Sequence, residues 1–518
     1  MAGMPTAPAT ESRRRAGDVL LLVAGAVVTV AATYALVRRP LSAAAALLLL
    51  AAAAGCVIFR REIAAVRLGP LVASLALLLP MAALAGPSAA LPAFPQFFAF
   101  RVLLLVVGAL GIALLLMRPT ASSLARWRLA VPLALWTAWL AITLLWAPDK
   151  AAGLRYLVVL ATMLAVVAAA AAAGTSARRL KAFGVTMIVA FVLVVSVTVL
   201  EYRTGLHLPT SRLVTGGGSQ TFAVTSVFHN QNDLATYLAI CWPFVLAVPF
   251  FTRRLRWLAL AVVAAGLGAL AFVGTGSRSS LLAIGIATVA TLLLLVRPAG
   301  WMRTRRAWLL GALLAAGLLV GAGYLLFNES ESPMLRQFRL AELQQNIAAS
   351  KGSGQIRANL YERGLAIAGR SLLLGAGPGQ AVGIITSGTD ALGIGDLHNW
   401  WLEIYVESGI PGLLLHLTFF FGLLLGLIRR ARTAADTFVR YLAVSTAAAL
   451  AGFLLGALGP SSSLGFAPLW TLYGLGLAIL ALPDGAADED ADGTGGATTG
   501  VRDVAVGVAS VALPEADA

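Results

Sequence analysis

Apolar runs of about 20 residues recur along the whole of this 518-residue chain, and each is long enough to cross the hydrocarbon core of a bilayer. No other feature narrows the fold as much. In hydrocarbon every backbone N–H and C=O must find its partner inside the protein, so such a chain folds as a bundle of transmembrane helices. Composition agrees: 59% of the residues are hydrophobic and 12% charged, about half the charged share of a soluble domain. Soluble enzymes, DNA-binding proteins and secreted disulfide scaffolds are excluded. Cys56 and Cys241 both lie inside apolar runs and read as neither a disulfide nor a metal framework. The expected fold is an all-α polytopic membrane protein.

About 12–14 transmembrane helices are expected, read as spans over 18–37, 41–59, 68–86, 99–117, 129–146, 153–173, 183–200, 233–251, 256–274, 280–296, 307–327, 398–428 with a break, 439–458 and 466–482. The first run is of full span length and is followed by Arg38 and Arg39, so it does not read as a cleavable signal peptide. The chain then divides into an N-terminus (1–17), N-terminal transmembrane helices (18–128), core transmembrane helices (129–327), a large loop (328–397), C-terminal transmembrane helices (398–482) and an acidic tail (483–518). The Gly/Thr/Ala-rich tail predicts disorder.

Basic residues orient these spans. With the N-terminus in the cytoplasm, alternate connections carry Arg60/Arg61/Arg67, Arg118/Arg126/Arg128, Arg178/Arg179/Lys181, Arg253/Arg254/Arg256, Arg297/Arg303/Arg305/Arg306 and Arg429/Arg430/Arg432/Arg440. With Arg13, Arg14 and Arg15 at the N-terminus and Arg502 in the tail, that places 24 of the 38 Lys and Arg residues inside, and six of the others in one long loop that the positive-inside rule does not count. Both termini are then cytoplasmic. The net charge of +15 reports orientation in the inner membrane and not a nucleic-acid partner. Residues 201–232 and 328–397 become outer loops, and loops as long as the second are usually functional.

Four segments carry possible chemistry. In HNWWLEIYVESGIPGLL, starting at His398, Gly409, Pro411 and Gly412 interrupt an apolar run, which is tolerated at membrane depth only where protein or a water-filled cavity satisfies the freed backbone. Trp400, Trp401 and Tyr405 suit an interfacial belt. His398 is either a helix starter or a general base. On a continuous helix Leu402 and Tyr405 share its face, while Glu403 and Glu407 lie about 140° and 180° away, so neither can orient the imidazole. Asp396 or Asp390 is a better partner, and Glu407 is expected to satisfy backbone at the Gly409–Gly412 break. In TGSRSS, Arg278 among hydroxyls is either a snorkelling anchor or a fork for phosphate oxygens. In 354–380, Arg357, Tyr361 and Gly364 or Leu365 share one helix face, and 375–379 reads as a turn. In SVFHNQNDLATYL, Asn230, Asn232 and Asp233 stand where a helix cap belongs, and His229 is a second candidate base. His207 and His416 are weaker candidates. No metal-ligand spacing, acid pair of the DxD type or Walker motif is present.

These motifs, in this order, resemble the bacterial O-antigen ligase and O-antigen polymerase superfamily over residues 130–480. The HN…E-x-GIPG run is the most specific part. The resemblance implies a fold like that of the GT-C glycosyltransferases and a metal-independent enzyme needing no cofactor. Such an enzyme transfers a glycan from a polyprenyl-diphosphate carrier, the undecaprenyl diphosphate type in bacteria, to a glycan, lipid or protein acceptor at the outer face of the cytoplasmic membrane. It implies His398 as base, Arg278 and Arg357 as the diphosphate clamp, and Asn232 and Glu407 as supporting residues. Two rivals are a lipid-linked glycan transporter or flippase, and a non-catalytic partner in polysaccharide assembly. A transporter usually shows internal repeats and intramembrane charges along a path. No clear repeat is visible here, and few ionisable residues sit within spans.

Overall fold

The structure, a computed structural model, describes residues 128–171, 177–215, 223–252, 254–295, 333–336, 338–348, 353–386 and 396–482, with scattered positions over 71–107 and 321–329. The expected spans 18–37 and 41–59, most of 68–86, 99–117 and 307–327, and both termini lie outside the described residues. The strands among the described residues are one short antiparallel pair, Ala90–Leu91 with Phe94–Phe98, an addition to the all-helical expectation. All other regular structure described is helical.

The helices are α1 (Val131–Thr143), α2 (Lys150–Ala171), α3 (Ala177–Thr204), α4 (Gln231–Phe251), α5 (Leu255–Thr275) and α6 (Arg278–Leu295). The loop helices α7 (Leu340–Ala348), α8 (Ser353–Arg370) and α9 (Gln380–Thr386) follow, then α10 (Trp400–Thr433), α11 (Thr437–Gly456) and α12 (Ala467–Ala481). Seven of them, α2 to α6, α10 and α11, are long and apolar enough to cross a membrane. The protein is therefore a multi-pass membrane protein. The spans expected over 129–146 and 466–482 are shorter helices. At 15 residues, α12 measures about 22 Å, less than the roughly 30 Å of a hydrocarbon core. It lies inside the bundle, with Leu469, Trp470, Leu472 and Tyr473 fully buried.

Burial separates inner from outer helices. In their most apolar stretch, α4 and α11 are 78% and 72% buried, against 39% for α2, α5, α6 and α10. The inner pair forms a spine, with α6 and α10 against α11 and α5 against α4. The Tyr441 hydroxyl donates to Phe244 O at 2.6 Å and the Ser445 hydroxyl to Pro243 O at 3.3 Å. Close approach of α6 and α11 requires Gly452, where a Cβ would meet Ala283 O at 2.7 Å and Ala287 Cβ at 2.9 Å. Small residues at such crossings let backbones touch where no water remains to drive packing.

The short connections put two chemistries at opposite ends. At one end Lys181 faces Asp436 at 3.9 Å and Arg430 donates to Leu482 O at 2.8 Å, so the turn after α10, the start of α3 and the end of α12 meet there. Arg178, Arg179, Arg254 and Arg256 belong to the same end by chain direction. The other end gathers the start of α4, the α5–α6 turn, the start of α10 and the 457–466 connection between α11 and α12.

Candidate active site

The chain is not yet helical at His398. Its φ of +50° lies in the left-handed region that a non-glycine residue rarely occupies, at a cost of about 1–3 kcal/mol. Asn399 is the N-cap of α10 and accepts the Leu402 N–H at 3.3 Å. The expectation that His398 opens the helix and shares a face with Leu402 and Tyr405 is corrected: the bend before the cap, not helical rotation, aims the imidazole. Arg357 and Asp396 are the charges that act on it, and the carbonyls of Gly459 and Pro460 face it. Its Nδ1 is sealed from solvent without a hydrogen-bond partner. Burial first, and Arg357 second, hold the imidazole pKa below the ordinary histidine value, with Asp396 and the two carbonyls opposing. The ring is neutral near pH 7, the state that accepts a proton.

Arg357 and Tyr361 stand one turn apart on α8, and the Tyr361 hydroxyl lies 3.5 Å from His398 O. Their helix face presses on the start of α10, since a Cβ on Gly364 would touch Leu397 and Leu402 side chains at 3.0 and 3.3 Å. The face expected from the spacing is the one used. Among the described residues Arg357 forms no ion pair. Arg278 is the first residue of α6 and half-buried; the nearby acid whose charge acts on it is Glu342 of α7.

The 457–466 connection joins these parts. The Trp400 N–H donates to Ala457 O at 3.1 Å. A Cβ on Gly459 would meet Thr236 Oγ1 at 2.7 Å and Ser280 Oγ at 3.5 Å, so α4 and the Arg278 helix both close on this loop. Asn230 Nδ2 donates to Ser461 Oγ at 2.6 Å, and the Ser462 hydroxyl donates to Glu403 Oε1 at 2.9 Å. Asn230 is also the N-cap of α4, accepting the Asn232 N–H at 2.7 Å. Asn232 enters through its backbone, its carbonyl taking the Thr236 hydroxyl at 2.9 Å. Asp233 accepts from the Ser461 backbone and lies in the field of Asp396, His229 and Arg212, with Oδ1 sealed and unpartnered.

Glu407 does satisfy backbone, but in a different segment from the one expected. Its carboxylate takes the N–H groups of Gln380 and Ala381, each at 3.0 Å, and so caps α9. The break at Gly409 (φ +66°) is filled by the 371–379 turn. Ala376 N–H donates to Val406 O at 2.8 Å, Gly377 N–H to Glu407 O at 3.1 Å, and Ile410 N–H to Leu373 O at 2.9 Å. Trp139 Nε1 donates to Ser408 O at 2.7 Å and Trp146 Nε1 to Gly375 O at 2.8 Å. Only glycine fits at the contact: a Cβ on Gly375 would sit 2.6 Å from Glu407 O, and one on Gly409 would run into Leu373 O. The glycine-rich segment is thus a structural turn.

Two of the remaining candidates, His416 and His207, separate from the site. His416 is fully buried among Trp136, Trp400, Phe419 and Tyr473, a core histidine. Trp400 is also core, 1% exposed, which removes it from the expected interfacial belt; Trp401, half-buried, donates to Leu454 O at 3.0 Å. His207 pairs with Glu201 at 2.5 Å. Glu201 also accepts the Thr225 and Ser226 N–H groups at 2.9 and 2.6 Å, pinning His207 and residues 225–226 to the end of α3. His229 Nδ1 lies 2.9 Å from Thr210 O.

Residues 262–417 match the O-antigen ligase family. Over these residues the chain is similar to the O-antigen ligase superfamily. The O-antigen ligase segment contains Arg278, Arg357, His398 and Glu407, whereas Asn230, Asn232 and the 457–466 loop lie outside it. The chain is also 25% identical over 395 residues to the teichuronic acid biosynthesis protein TuaE of Bacillus subtilis (strain 168), covering 75% of this chain and 79% of that protein. This is therefore a membrane protein of a glycan-handling family. Sequence reasoning missed the 457–466 loop, Glu201 and the second role of Asn230. The loop's GPSSS run carries no periodicity, and its meaning comes from partners more than 50 residues away. Glu201, an acid closing an apolar span, was the one available signal.

Proposed function

We propose that the protein transfers a polyprenyl-diphosphate-linked glycan to an acceptor hydroxyl at the outer face of the cytoplasmic membrane, as a ligase or polymerase of cell-envelope polysaccharide. The supporting observation is the neutral, strained His398 with Arg357 beside it, an arginine that forms no ion pair among the described residues. The acceptor oxygen attacks the anomeric carbon of the donor, and its proton passes to His398. The anomeric carbon–oxygen bond breaks as the new bond forms, the anomeric centre inverts, and the polyprenyl diphosphate departs with the electron pair. Its growing negative charge meets Arg357 and Arg278, whose planar forks suit phosphate oxygens. Asn232 and Glu407 support this arrangement through the backbone they fix. The apolar outer faces of the spans receive the prenyl tail.

Sidedness follows from the basic residues. Among the described residues the basic short connections lie at the end opposite His398, which by the positive-inside rule supports His398 and the 328–397 loop outside and both termini inside. The deciding experiment is His398→Ala, purified and added to membranes of cells lacking the protein. Loss of a general base costs about a hundred- to ten-thousand-fold in rate. Transfer at the parental rate would refute the base assignment, and a flippase or assembly partner would then be favoured. In a deletion strain, short repeats held on the carrier indicate a polymerase, and long chains left on the carrier indicate a ligase.

A further inference from the structure

We infer that Glu403 is a positioning residue for His398, acting through Ser462 and the 457–466 loop. The inference rests on His398 being the base. Glu403 does not reach the imidazole directly. Its Oε1 instead takes the Ser462 hydroxyl at 2.9 Å from the loop and lies 3.4 Å from the Tyr156 hydroxyl on α2. Two and three residues earlier in that loop stand Pro460 and Gly459, whose carbonyls face the imidazole. Carbonyls that meet a ring nitrogen hold it as an N–H donor, and so set the tautomer and the turn of the imidazole.

The loop needs such a tie. It contains no helix or strand between Gly456 and Ala467, and glycine and small residues dominate it. Three of the hydrogen bonds that hold it come from different directions: Trp400 N–H to Ala457 O, Asn230 to Ser461, and Ser462 to Glu403, besides Trp470 Nε1 to Ser463 O at 3.1 Å and the Ser461 backbone to Asp233. The first two fix it to the starts of α10 and α4. The third reaches into the bundle, where Glu403 is 8% exposed, and sets how closely Gly459 and Pro460 approach the ring. Glu403 and Ser462 thus do for this histidine what a directly bonded carboxylate does elsewhere, through a backbone relay. The charged groups facing the ring are Arg357 from α8 and Asp396 from its own segment; the loop brings no titratable side chain.

The test compares Ser462→Ala, Glu403→Ala and Glu403→Gln with the parent. Each protein is purified in detergent and supplied with donor extracted from membranes of cells lacking the protein. Misaiming a base by a fraction of an ångström to an ångström costs roughly ten- to a hundredfold in rate. Ser462→Ala and Glu403→Ala are expected to lose that much kcat per folded molecule, with donor KM unchanged. Their acid limb should move to lower pH, because carbonyls that stabilise the imidazolium have drawn back. Glu403→Gln keeps an oxygen for the Ser462 hydroxyl and should recover most of the rate. A purely structural Glu403 would lower the yield or the melting temperature and leave kcat and the acid limb in place, which overturns the inference. If Glu403→Ala does not fold, Ser462→Ala, which deletes one hydroxyl, decides alone. An inactive His398→Ala beside fully active Ser462→Ala and Glu403→Ala refutes only the positioning role. An active His398→Ala refutes the base and the inference with it.

Discussion

Glu407→Ala tests whether the carboxylate fixes backbone as the geometry says. Glu407 is 1% exposed and receives two backbone N–H groups, from Gln380 and Ala381, at 3.0 Å each. Replacing it with alanine leaves both donors buried without an acceptor. A buried donor stripped of its partner costs about 1–3 kcal/mol, so the pair amounts to about 2–6 kcal/mol. Glu407→Gln retains one accepting oxygen and should cost about half of that. A chain of this size shifts by about 2 °C per kcal/mol, the low end for large domains. Glu407→Ala should therefore melt about 4–12 °C below the parent, and Glu407→Gln in between. The assay is thermal unfolding in detergent, followed by recovery of monodisperse protein on size exclusion. If Glu407→Ala melts with the parent, the capping of α9 is not what holds the turn. If it melts normally but is inactive, Glu407 belongs to the chemistry.

Other predictions follow from the same contacts. Transfer rate against pH should show an acid limb centred below about 6.5, the ordinary histidine value, since burial and Arg357 depress His398. Asp396→Asn removes a neighbour that raises that pKa, so its limb should move lower still; a move upward contradicts the electrostatic map. Arg278→Lys and Arg357→Lys keep the charge but lose the two-pronged fork, and each should cost about ten- to a hundredfold in donor affinity or rate with normal insertion. Full activity in Arg278→Lys would reduce that arginine to an anchor. Gly409→Ala should fail to accumulate, because its Cβ has no room against Leu373 O; normal expression would show that the turn can withdraw. A cysteine replacing Ser353 should react with an impermeant thiol reagent in intact cells and one replacing Thr494 should not; the reverse pattern inverts the topology.

Sequence patterns were most reliable where they depended on local chemistry. Apolar runs located α2 to α6, α10 and α11 within a few residues, because hydrocarbon leaves the backbone one way to satisfy itself. Asn230 as a cap and 375–379 as a turn were legible for the same reason: each depends on neighbours within a few positions. What escaped needed tertiary partners. α12 looks like an ordinary span by composition, yet it runs from the site end to the basic end in only 15 residues and buries its aromatics against α10. His398 looked like the first helical residue because a left-handed φ leaves no mark in the residue type. Glu403 looked irrelevant on a helical wheel, which measures direct reach and cannot show a relay through Ser462. The 457–466 loop has no pattern of its own; Asn230, Glu403 and Trp400 define it, and all are remote in sequence.

The break at Gly409 explains why these pieces cohere. It detaches a half-helix, Trp400–Ser408, from the span that follows, and that half-helix carries the site at its mouth. Left alone, it would expose carbonyls in hydrocarbon and tilt freely. Instead Trp139 and the 371–379 turn take its last carbonyls, Glu407 binds the turn in return, and Glu403 binds the opposite loop. The two acids stand one turn apart and pull on different segments, so the half-helix is fixed from both sides. Both are thereby committed to backbone and hydroxyl donors and are not available to neutralise an arginine. Arg357 keeps its charge unpaired among the described residues, and a guanidinium left in that state beside a neutral imidazole suits an anionic donor. On this argument, substitutions that loosen the turn should reduce rate by misaiming His398, without touching substrate and without weakening donor binding.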